Sequence, residues 1–164
     1  MWRLFSFTEE KTMFRGITEL SLDIKGRLAI PTRYRNALGD EHKVPVVATI
    51  DPEETCLLLY PAAAWQVIEN NLQKLPSFNA AARRIQRLLI GHATDIEIDA
   101  NGRVLLPTVL RNYARLNKEV VMIGQGNKFE IWDKELWESM REQWLAEEAA
   151  QADGLPDEMK NFSL

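Results

Sequence analysis

One motif occurs twice in this chain of 164 residues and limits how the chain can fold. The stretch LDIKGRLAIPTRYRN, residues 22–36, returns as IDANGRVLLPTVLRN, residues 98–112. Both copies contain an Asp-x-x-Gly-Arg turn, followed at the same spacing by Pro-Thr and then Arg-Asn. An apolar strand pattern follows each copy, VPVVATI at 44–50 and KEVVMIG at 118–124. The sequence therefore predicts an internal duplication of a strand, turn, strand, helix, strand, strand unit.

The turn residues have a chemical reason to recur. In a type I turn, the Asp side chain can accept hydrogen bonds from backbone amides two or three residues later, and a Gly just after it supplies a positive φ at no steric cost. Asp23 with Gly26, and Asp99 with Gly102, meet both requirements. Each half is therefore predicted to begin with a tight hairpin.

Helix signals follow each turn and also separate the halves. Pro31 and Pro107 precede the short segments TRYRNAL and TVLRNYA, and proline suits the first turn of a helix. Two longer helices are predicted between the halves, PAAAWQVIENNLQKL and FNAAARRIQRLLIGH, and a third, acidic helix from Lys134 to Ala150. Short hairpins have exposed edges, so we expect two α+β repeats to complete each other around a pseudo-twofold axis as a small split β-barrel with flanking helices.

The composition argues against several classes of protein. Cys56 is the one cysteine and there are two histidines, which excludes an internal disulfide framework and disfavours a zinc site with Cys and His ligands. The glycines lack the spacing of a phosphate-binding loop, and neither Cys56 nor the histidines lie in a catalytic motif. The apolar opening is short and is broken by charges at residues 9–11, so we expect neither a signal peptide nor a membrane span. The prediction is a protein of a reducing cytoplasm that is not an enzyme and needs no metal or cofactor.

Charge is distributed unevenly along the chain. The net charge is −4, but residues 133–164 hold nine acidic and three basic side chains, and the other 132 residues hold fifteen and seventeen. The main part of the chain therefore has a balance of +2, and the terminal part a balance of −6. Such asymmetry lets one surface meet phosphates while another is repelled by them.

Basic residues gather around the first turn. Lys25, Arg27, Arg33 and Arg35 lie within eleven residues, and Arg15 is one strand away. A rigid cationic turn can enter a DNA groove, where arginine reads guanine edges and lysine holds phosphates. Alternatively, Arg27 and Arg103 pair with the aspartates of their own turns, and the motif alone leaves both uses open. The second cluster, at Arg83, Arg84 and Arg87, is typical of a solvated helix face.

Several stretches together resemble one known family. MFRGITELSLDIKGRLAIPTRYR, CLLLYPAAAW, RRIQRLLIGHATDIEIDANGRVLLP and NKFEIWDKELW are similar to the MraZ family, across residues 13 to about 145. The resemblance implies two SpoVT-AbrB-type repeats in a cytoplasmic, nucleoid-associated regulator that assembles as a ring-shaped homo-oligomer. The expected divisions are an extension at 1–12, repeats at 17–64 and 93–136 with a helical linker at 65–92, and an acidic helix and tail at 137–164.

The resemblance also implies a function and the residues that carry it. The expected partner is double-stranded promoter DNA, bound at short direct repeats upstream of the division and cell-wall gene cluster. The family's Asp-x-x-x-Arg motif falls on Asp23 with Arg27 and on Asp99 with Arg103. The alternative is a structural oligomer that binds nucleic acid only incidentally. The predicted DNA-binding residues are Arg15, Lys25, Arg27, Arg33 and Arg103, and the predicted turn residues are Asp23, Gly26, Asp99 and Gly102.

Overall fold

The computed structural model describes residues 13–38 and 45–150, which form eight strands and five helices. The expected extension at 1–12 and the tail beyond residue 150 lie outside the described residues. The strands are β1 (Phe14–Ser21), β2 (Arg27–Ala29), β3 (Val46–Ile50), β4 (Leu57–Pro61), β5 (Thr94–Ile96), β6 (Arg103–Leu105), β7 (Glu119–Gly126) and β8 (Phe129–Asp133). The helices are α1 (Thr32–Leu38), α2 (Ala62–Gln73), α3 (Ala80–His92), α4 (Thr108–Tyr113) and α5 (Lys134–Ala150).

Helices form where the sequence predicts them. α1 and α4 each start directly after a proline, and α2 and α3 lie on either side of Pro76. The Asn79 side chain accepts the N–H of Ala82 at 3.1 Å and so caps the first turn of α3. None of the described helices is long and apolar enough to cross a membrane.

The chain divides into two compact units, Met1–Asp133 and Lys134–Leu164. Both copies of the turn belong to the first unit. In the second unit, α5 carries Trp137 and Trp144, whose ring centroids are 5.9 Å apart in a T-shaped arrangement. The predicted acidic helix is therefore confirmed as far as residue 150.

The strands of the two halves interleave. Six strands form an antiparallel sheet in the order β1-β7-β8-β4-β3-β5, and β2 and β6 form a separate two-stranded antiparallel ribbon. β1 pairs with β7, β2 with β6, β3 with β5 and β4 with β8, so each of these pairings joins one half to the other. The α+β class with mutually completed halves is confirmed. The split barrel is not confirmed, since no pairing among the described strands links the sheet and the ribbon.

The predicted hairpin at the start of each half is wrong. β1 and β2 flank the first turn but belong to different sheets, and β5 and β6 flank the second turn in the same way. The turn itself is closed by Asp23, whose N–H donates to the carbonyl of Arg27 at 3.0 Å. Beyond it β2 leaves β1, because the side chains of Leu28 and Ile30 are fully buried in a core shared with the other half.

Two apolar clusters pack on opposite faces of the six-stranded sheet. Val46, Ala48 and Ile50 belong to the larger cluster, while Val47 between them belongs to the smaller one. This alternation follows from the period of two residues in a strand. The larger cluster includes residues of the ribbon and of α1 and α4; the smaller includes Trp65 of α2. The ribbon and both turns are thereby held on one face of the sheet.

Candidate nucleic-acid interface

The first turn is held by its own aspartate. Asp23 Oδ1 accepts the backbone N–H of Lys25 at 2.9 Å and that of Arg27 at 2.8 Å. The N–H of Gly26 donates to the Asp23 carbonyl at 3.0 Å, and Gly26 has a φ of 84°, in the region that favours glycine. The tip residues Ile24 and Lys25 are exposed. This turn therefore displays a lysine on a rigid backbone.

The second turn repeats the same bonds. Asp99 Oδ1 accepts the N–H of Asn101 at 2.8 Å and that of Arg103 at 2.9 Å. Gly102 donates to the Asp99 carbonyl at 2.9 Å and has a φ of 75°. The two copies therefore share one backbone geometry, and their difference lies in the tip, where Asn101 replaces a lysine.

Each turn arginine is paired and partly exposed. Arg27 donates from Nε to Asp23 Oδ2 at 2.6 Å, and Arg103 donates from Nε to Asp99 Oδ2 at 3.3 Å. The arginine side chains are 29% and 31% exposed. Pairing with aspartate therefore fixes one edge of each guanidinium and leaves the rest accessible to a ligand. An arginine in this position can pair with the aspartate of its own turn and still contact DNA, so the two uses that the sequence left open are geometrically compatible.

The two turns adjoin. Arg103 Nη1 lies 3.9 Å from Asp23 Oδ2, so the arginine of the second turn reaches the aspartate of the first. The hydrogen bond from the Arg27 backbone N–H, assisted by the Arg27 guanidinium, lowers the pKa of Asp23 below its ordinary value. The Arg103 backbone N–H does the same to the pKa of Asp99. Both aspartates are therefore kept as anions that hold the arginines.

Each turn also depends on the other half through the backbone. Leu106, which follows β6, donates its N–H to the Gly26 carbonyl at 3.0 Å, and Ile30 donates to the Gly102 carbonyl at 2.9 Å. These bonds extend the β2–β6 ribbon to the glycine of each turn. The turns are thus parts of one rigid ribbon.

Two arginines that were not predicted as site residues lie against the turn glycines. Arg111 covers Gly26 so closely that a Cβ there would lie 2.5 Å from the guanidinium carbon, and Arg35 covers Gly102 in the same way. Arg111 donates from Nε to the Leu106 carbonyl at 2.9 Å, and Arg35 donates to the Ile30 carbonyl at the same distance. The sequence did contain a signal, because both arginines occupy the same place in the duplicated motif.

The other predicted cations lie apart from the turns. Arg33 donates to Thr18 Oγ1 at 2.8 Å and its guanidinium lies 4.7 Å from the Tyr34 ring centroid. The Tyr34 hydroxyl donates to the Arg15 carbonyl at 2.7 Å. Within the described residues, no hydrogen bond or ion pair joins Arg15 or Arg33 to either turn. The structure therefore brings together the turn residues Lys25, Arg27 and Arg103, and it places the Arg33 side chain and the Arg15 backbone carbonyl against Tyr34.

The comparison with protein-family models decides the family. The model for the MraZ protein, described as antitoxin-like, matches residues 13–88 and again residues 89–155. The chain belongs to the MraZ family. Each matched repeat contains one of the two Asp-x-x-Gly-Arg turns, so the family's repeat is the unit that is duplicated here.

Relatives in the MraZ family cover nearly the whole chain. A protein of Legionella pneumophila (strain Corby), named transcriptional regulator MraZ, is 80% identical over 152 residues, which are 93% of this chain and 100% of the relative. Proteins of the same name from Coxiella burnetii (strain Dugway 5J108-111) and Alkalilimnicola ehrlichii are 53% and 55% identical, with the same coverage. These MraZ relatives are named as regulators of transcription, which is not a class of enzymes.

One cluster of potential metal ligands lies away from the turns. Asp51, Cys56 and Glu130 each offer a ligand atom, and these atoms all lie within 4.8 Å of one another. The Cys56 sulfur is 3.9 Å from Asp51 Oδ2 and 3.8 Å from Glu130 Oε2. Burial, followed by the negative charges of Glu130 and Asp51, raises the pKa of the Cys56 thiol. A protonated thiol at this position can donate to either carboxylate.

Proposed function

We propose that this chain is a sequence-specific DNA-binding regulator of transcription. In this proposal it binds short direct repeats in the promoter of the division and cell-wall gene cluster, works in the cytoplasm at the nucleoid, and catalyses no reaction. The observation that carries the proposal is the adjoining pair of rigid turns, in which Arg103 Nη1 approaches Asp23 Oδ2 to 3.9 Å. Two part-exposed guanidinium groups and the exposed Lys25 are thereby presented as one unit.

The chemistry of the three side chains suits a DNA groove. A guanidinium held along one edge by a carboxylate has lost most of its freedom, so little entropy is lost when its other edge binds a base or a phosphate. Arginine pairs with guanine O6 and N7 through two parallel hydrogen bonds, and lysine contacts phosphates. We assign direct contact to Arg27 first, then to Lys25 and Arg103, and a supporting phosphate contact to Arg15 and Arg33.

One pair of turns neutralises few phosphates, so a single protomer should bind weakly. We propose that neighbouring subunits of a ring-shaped homo-oligomer engage successive promoter repeats. The second contact then occurs at a high effective concentration, and the affinities reinforce each other without any new kind of contact. The salt dependence should be steep, because each neutralised phosphate releases counterions.

A second function is favoured by a different observation. Arg27 is paired with Asp23 at 2.6 Å, as expected if the motif only stabilises the turn in an assembly protein. The two functions differ in the fate of Arg27→Ala. Loss of promoter binding by a variant that keeps the wild-type oligomer size supports the regulator, whereas disassembly of that variant supports the structural role.

The test is a binding series by fluorescence anisotropy, using duplexes from the region upstream of the gene for this chain. One duplex carries a single repeat, one carries several repeats at the native spacing, and one has the same composition in scrambled order. The regulator is expected to bind the native duplex best and to lose affinity steeply with added salt. Equal affinity for the native and scrambled duplexes would refute sequence-specific binding, and equal affinity for one and several repeats would refute the ring's contribution.

A further inference from the structure

We infer that Arg111 and Arg35 are positioning residues for the DNA-contacting turns, and that each acts on the turn of the opposite repeat. This inference rests on the proposed function, since it names what holds the contact residues in place. Arg111 lies in the second repeat and covers Gly26 of the first turn. Arg35 lies in the first repeat and covers Gly102 of the second turn.

Arg111 is itself held at two points. Its Nε donates to the Leu106 carbonyl at 2.9 Å, and its Nη2 donates to Thr108 Oγ1 at 3.0 Å. Leu106 precedes α4 by two residues and Thr108 is its first residue, so the Arg111 guanidinium is tied to the N-terminal end of its own helix. A planar group fixed in this way forms a flat surface on which a glycine can rest, and a side chain on Gly26 would collide with it.

The Gly26 residue is therefore fixed from two directions by the other repeat. Its carbonyl accepts the N–H of Leu106 at 3.0 Å, and the guanidinium carbon of Arg111 lies 2.5 Å from the position that a Cβ would take. Arg27 is the next residue along the chain, so the direction of its side chain follows from the orientation of the Gly26 peptide. A shift of that peptide would move the Arg27 guanidinium out of the DNA groove, although the protein would keep the same net charge.

The two turns carry different numbers of cationic side chains, and this difference predicts which arginine matters more for DNA binding. The turn under Arg111 carries Lys25 and Arg27, whereas the turn under Arg35 carries Asn101 and Arg103. If the more cationic turn contributes more to binding, then Arg111 should matter more for DNA affinity than Arg35. Both arginines make the same backbone bond at 2.9 Å, and Arg111 adds one exposed bond to Thr108 Oγ1 at 3.0 Å, which contributes little, so their contributions to folding should be similar.

Arginine-to-lysine changes separate this role from charge. Lysine keeps the positive charge but has no planar group and no Nε–H. It therefore cannot cover the glycine and donate to the backbone carbonyl at the same time. R111K and R35K are a matched pair, because the two positions are equivalent in the duplication. A purely electrostatic role for either arginine predicts that its lysine variant binds DNA normally.

The experiment compares the full-length wild type, R111K and R35K in two measurements. Hydrogen exchange read by mass spectrometry on peptides covering residues 22–28 and 98–104 reports the two turns separately. We expect R111K to accelerate exchange in the first turn and R35K to accelerate it in the second. The inference would be overturned if exchange became faster in the turn of the same repeat as the substituted arginine. It would also be overturned if both turns exchanged equally faster, or if neither did.

The second measurement is binding to the native and scrambled upstream duplexes. We expect R111K to lose roughly ten-fold or more in affinity for the native duplex, with a smaller change for the scrambled one, because misplacing one arginine removes a base contact. R35K should lose clearly less at a similar melting temperature. Equal losses, or a larger loss in R35K, would overturn the direction of the inference. Failure of the proposed function has a different signature, namely a wild type that does not distinguish the duplexes, and the exchange data then decide the positioning role alone.

Discussion

Leu106 donates its backbone N–H to the carbonyl of Gly26 at 3.0 Å, a bond between the second repeat and the tip of the first turn. The equivalent bond runs from Ile30 to Gly102 at 2.9 Å. A turn that belongs to one repeat by sequence is therefore completed by the other repeat in space. A substitution at these contacts in one copy should consequently be felt at the turn of the other copy, and substitutions at equivalent positions serve as controls for each other.

Truncating the first-turn arginine should weaken DNA binding and spare the fold. Arg27→Ala removes a guanidinium that is 29% exposed and whose ion pair lies at the surface, where such pairs contribute little to stability. We expect a loss of roughly ten-fold or more in affinity for the native duplex, the usual effect of losing an arginine–guanine contact. Anisotropy titration and thermal unfolding measure the two effects.

Arg103→Ala is the control for that variant. It removes the same group from the turn that carries Asn101, so its loss of affinity should be smaller at a similar melting temperature. An Arg27→Ala variant that binds the native duplex as tightly as the wild type would contradict the assignment of Arg27.

A side chain on the first-turn glycine should destabilise the protein. Gly26 has a φ of 84°, which disfavours L-residues, and its missing Cβ would lie 2.5 Å from Arg111. Holding a non-glycine residue in such a conformation costs about 1–3 kcal/mol, so Gly26→Ala should lower the free energy of unfolding by at least that amount. The midpoint of urea denaturation measures the loss.

Gly91→Ala provides the comparison on the same scale. Gly91 lies in α3 with nothing within 4 Å of its missing Cβ, so alanine there should be neutral or stabilising by up to about 1 kcal/mol. Equal midpoints for Gly26→Ala and Gly91→Ala would show that neither the positive φ of Gly26 nor the close approach of Arg111 is maintained in solution.

The turn aspartates should make stability depend on acidic pH. The Arg27 backbone N–H, with its guanidinium, lowers the pKa of Asp23 from an ordinary value of 3.8. The unfolded chain then binds a proton more readily than the folded chain, so the stabilisation is complete above 3.8 and is lost as the pH falls through the lowered pKa. Asp23→Asn should therefore show a shallower loss of melting temperature below this value.

Asp95→Asn tests whether that effect is specific, because Asp95 is an exposed carboxylate of β5 outside both turns. It also removes one carboxylate, but it leaves the hydrogen bonds of both turns in place. Identical acid profiles for Asp23→Asn and the wild type would show that the turn carboxylate is not tightly bonded.

The buried thiol should resist modification in the folded protein. Cys56 is fully buried, and burial together with Glu130 and Asp51 raises its pKa, so little thiolate is present to react. Labelling by a disulfide reagent then requires unfolding, which should slow it by roughly a thousand-fold or more relative to the denatured chain. Absorbance of the released thiol follows both reactions, and rapid labelling of the native protein would contradict the buried site.

The sequence predicted the local features and the mutual completion of the two halves, but it did not predict which strands pair. Turn and helix positions depend on short-range chemistry, such as the Asp23 carboxylate capping nearby amides and Pro31 preceding α1. The pairing of β1 with β7 instead of β2 depends on which apolar side chains are buried together across the whole chain. No local pattern reports that choice, which is why a hairpin was predicted where the strands separate.

The same limit applied to the candidate site. Lys25 and Arg27 could be selected from sequence because they cluster around a turn with a known backbone geometry. The place of Arg111 against Gly26 could not, because residues 85 positions apart in the chain meet only after the halves interleave. Its repetition as Arg35 was visible, but repetition alone does not show what a side chain covers.

The interleaving of the strands also determines when the protein can fold. During synthesis the first repeat leaves the ribosome before β5 to β8 exist, and among its described strands only β3 and β4 pair within the same half. Phe14 of β1 pairs with Gly126 of β7, which is synthesised much later. Pairing between residues so far apart in the chain raises the entropic cost of loop closure and slows folding. The sheet can therefore be completed only after the second repeat has been translated. The contacts between the repeats that complete both turns form at the same stage.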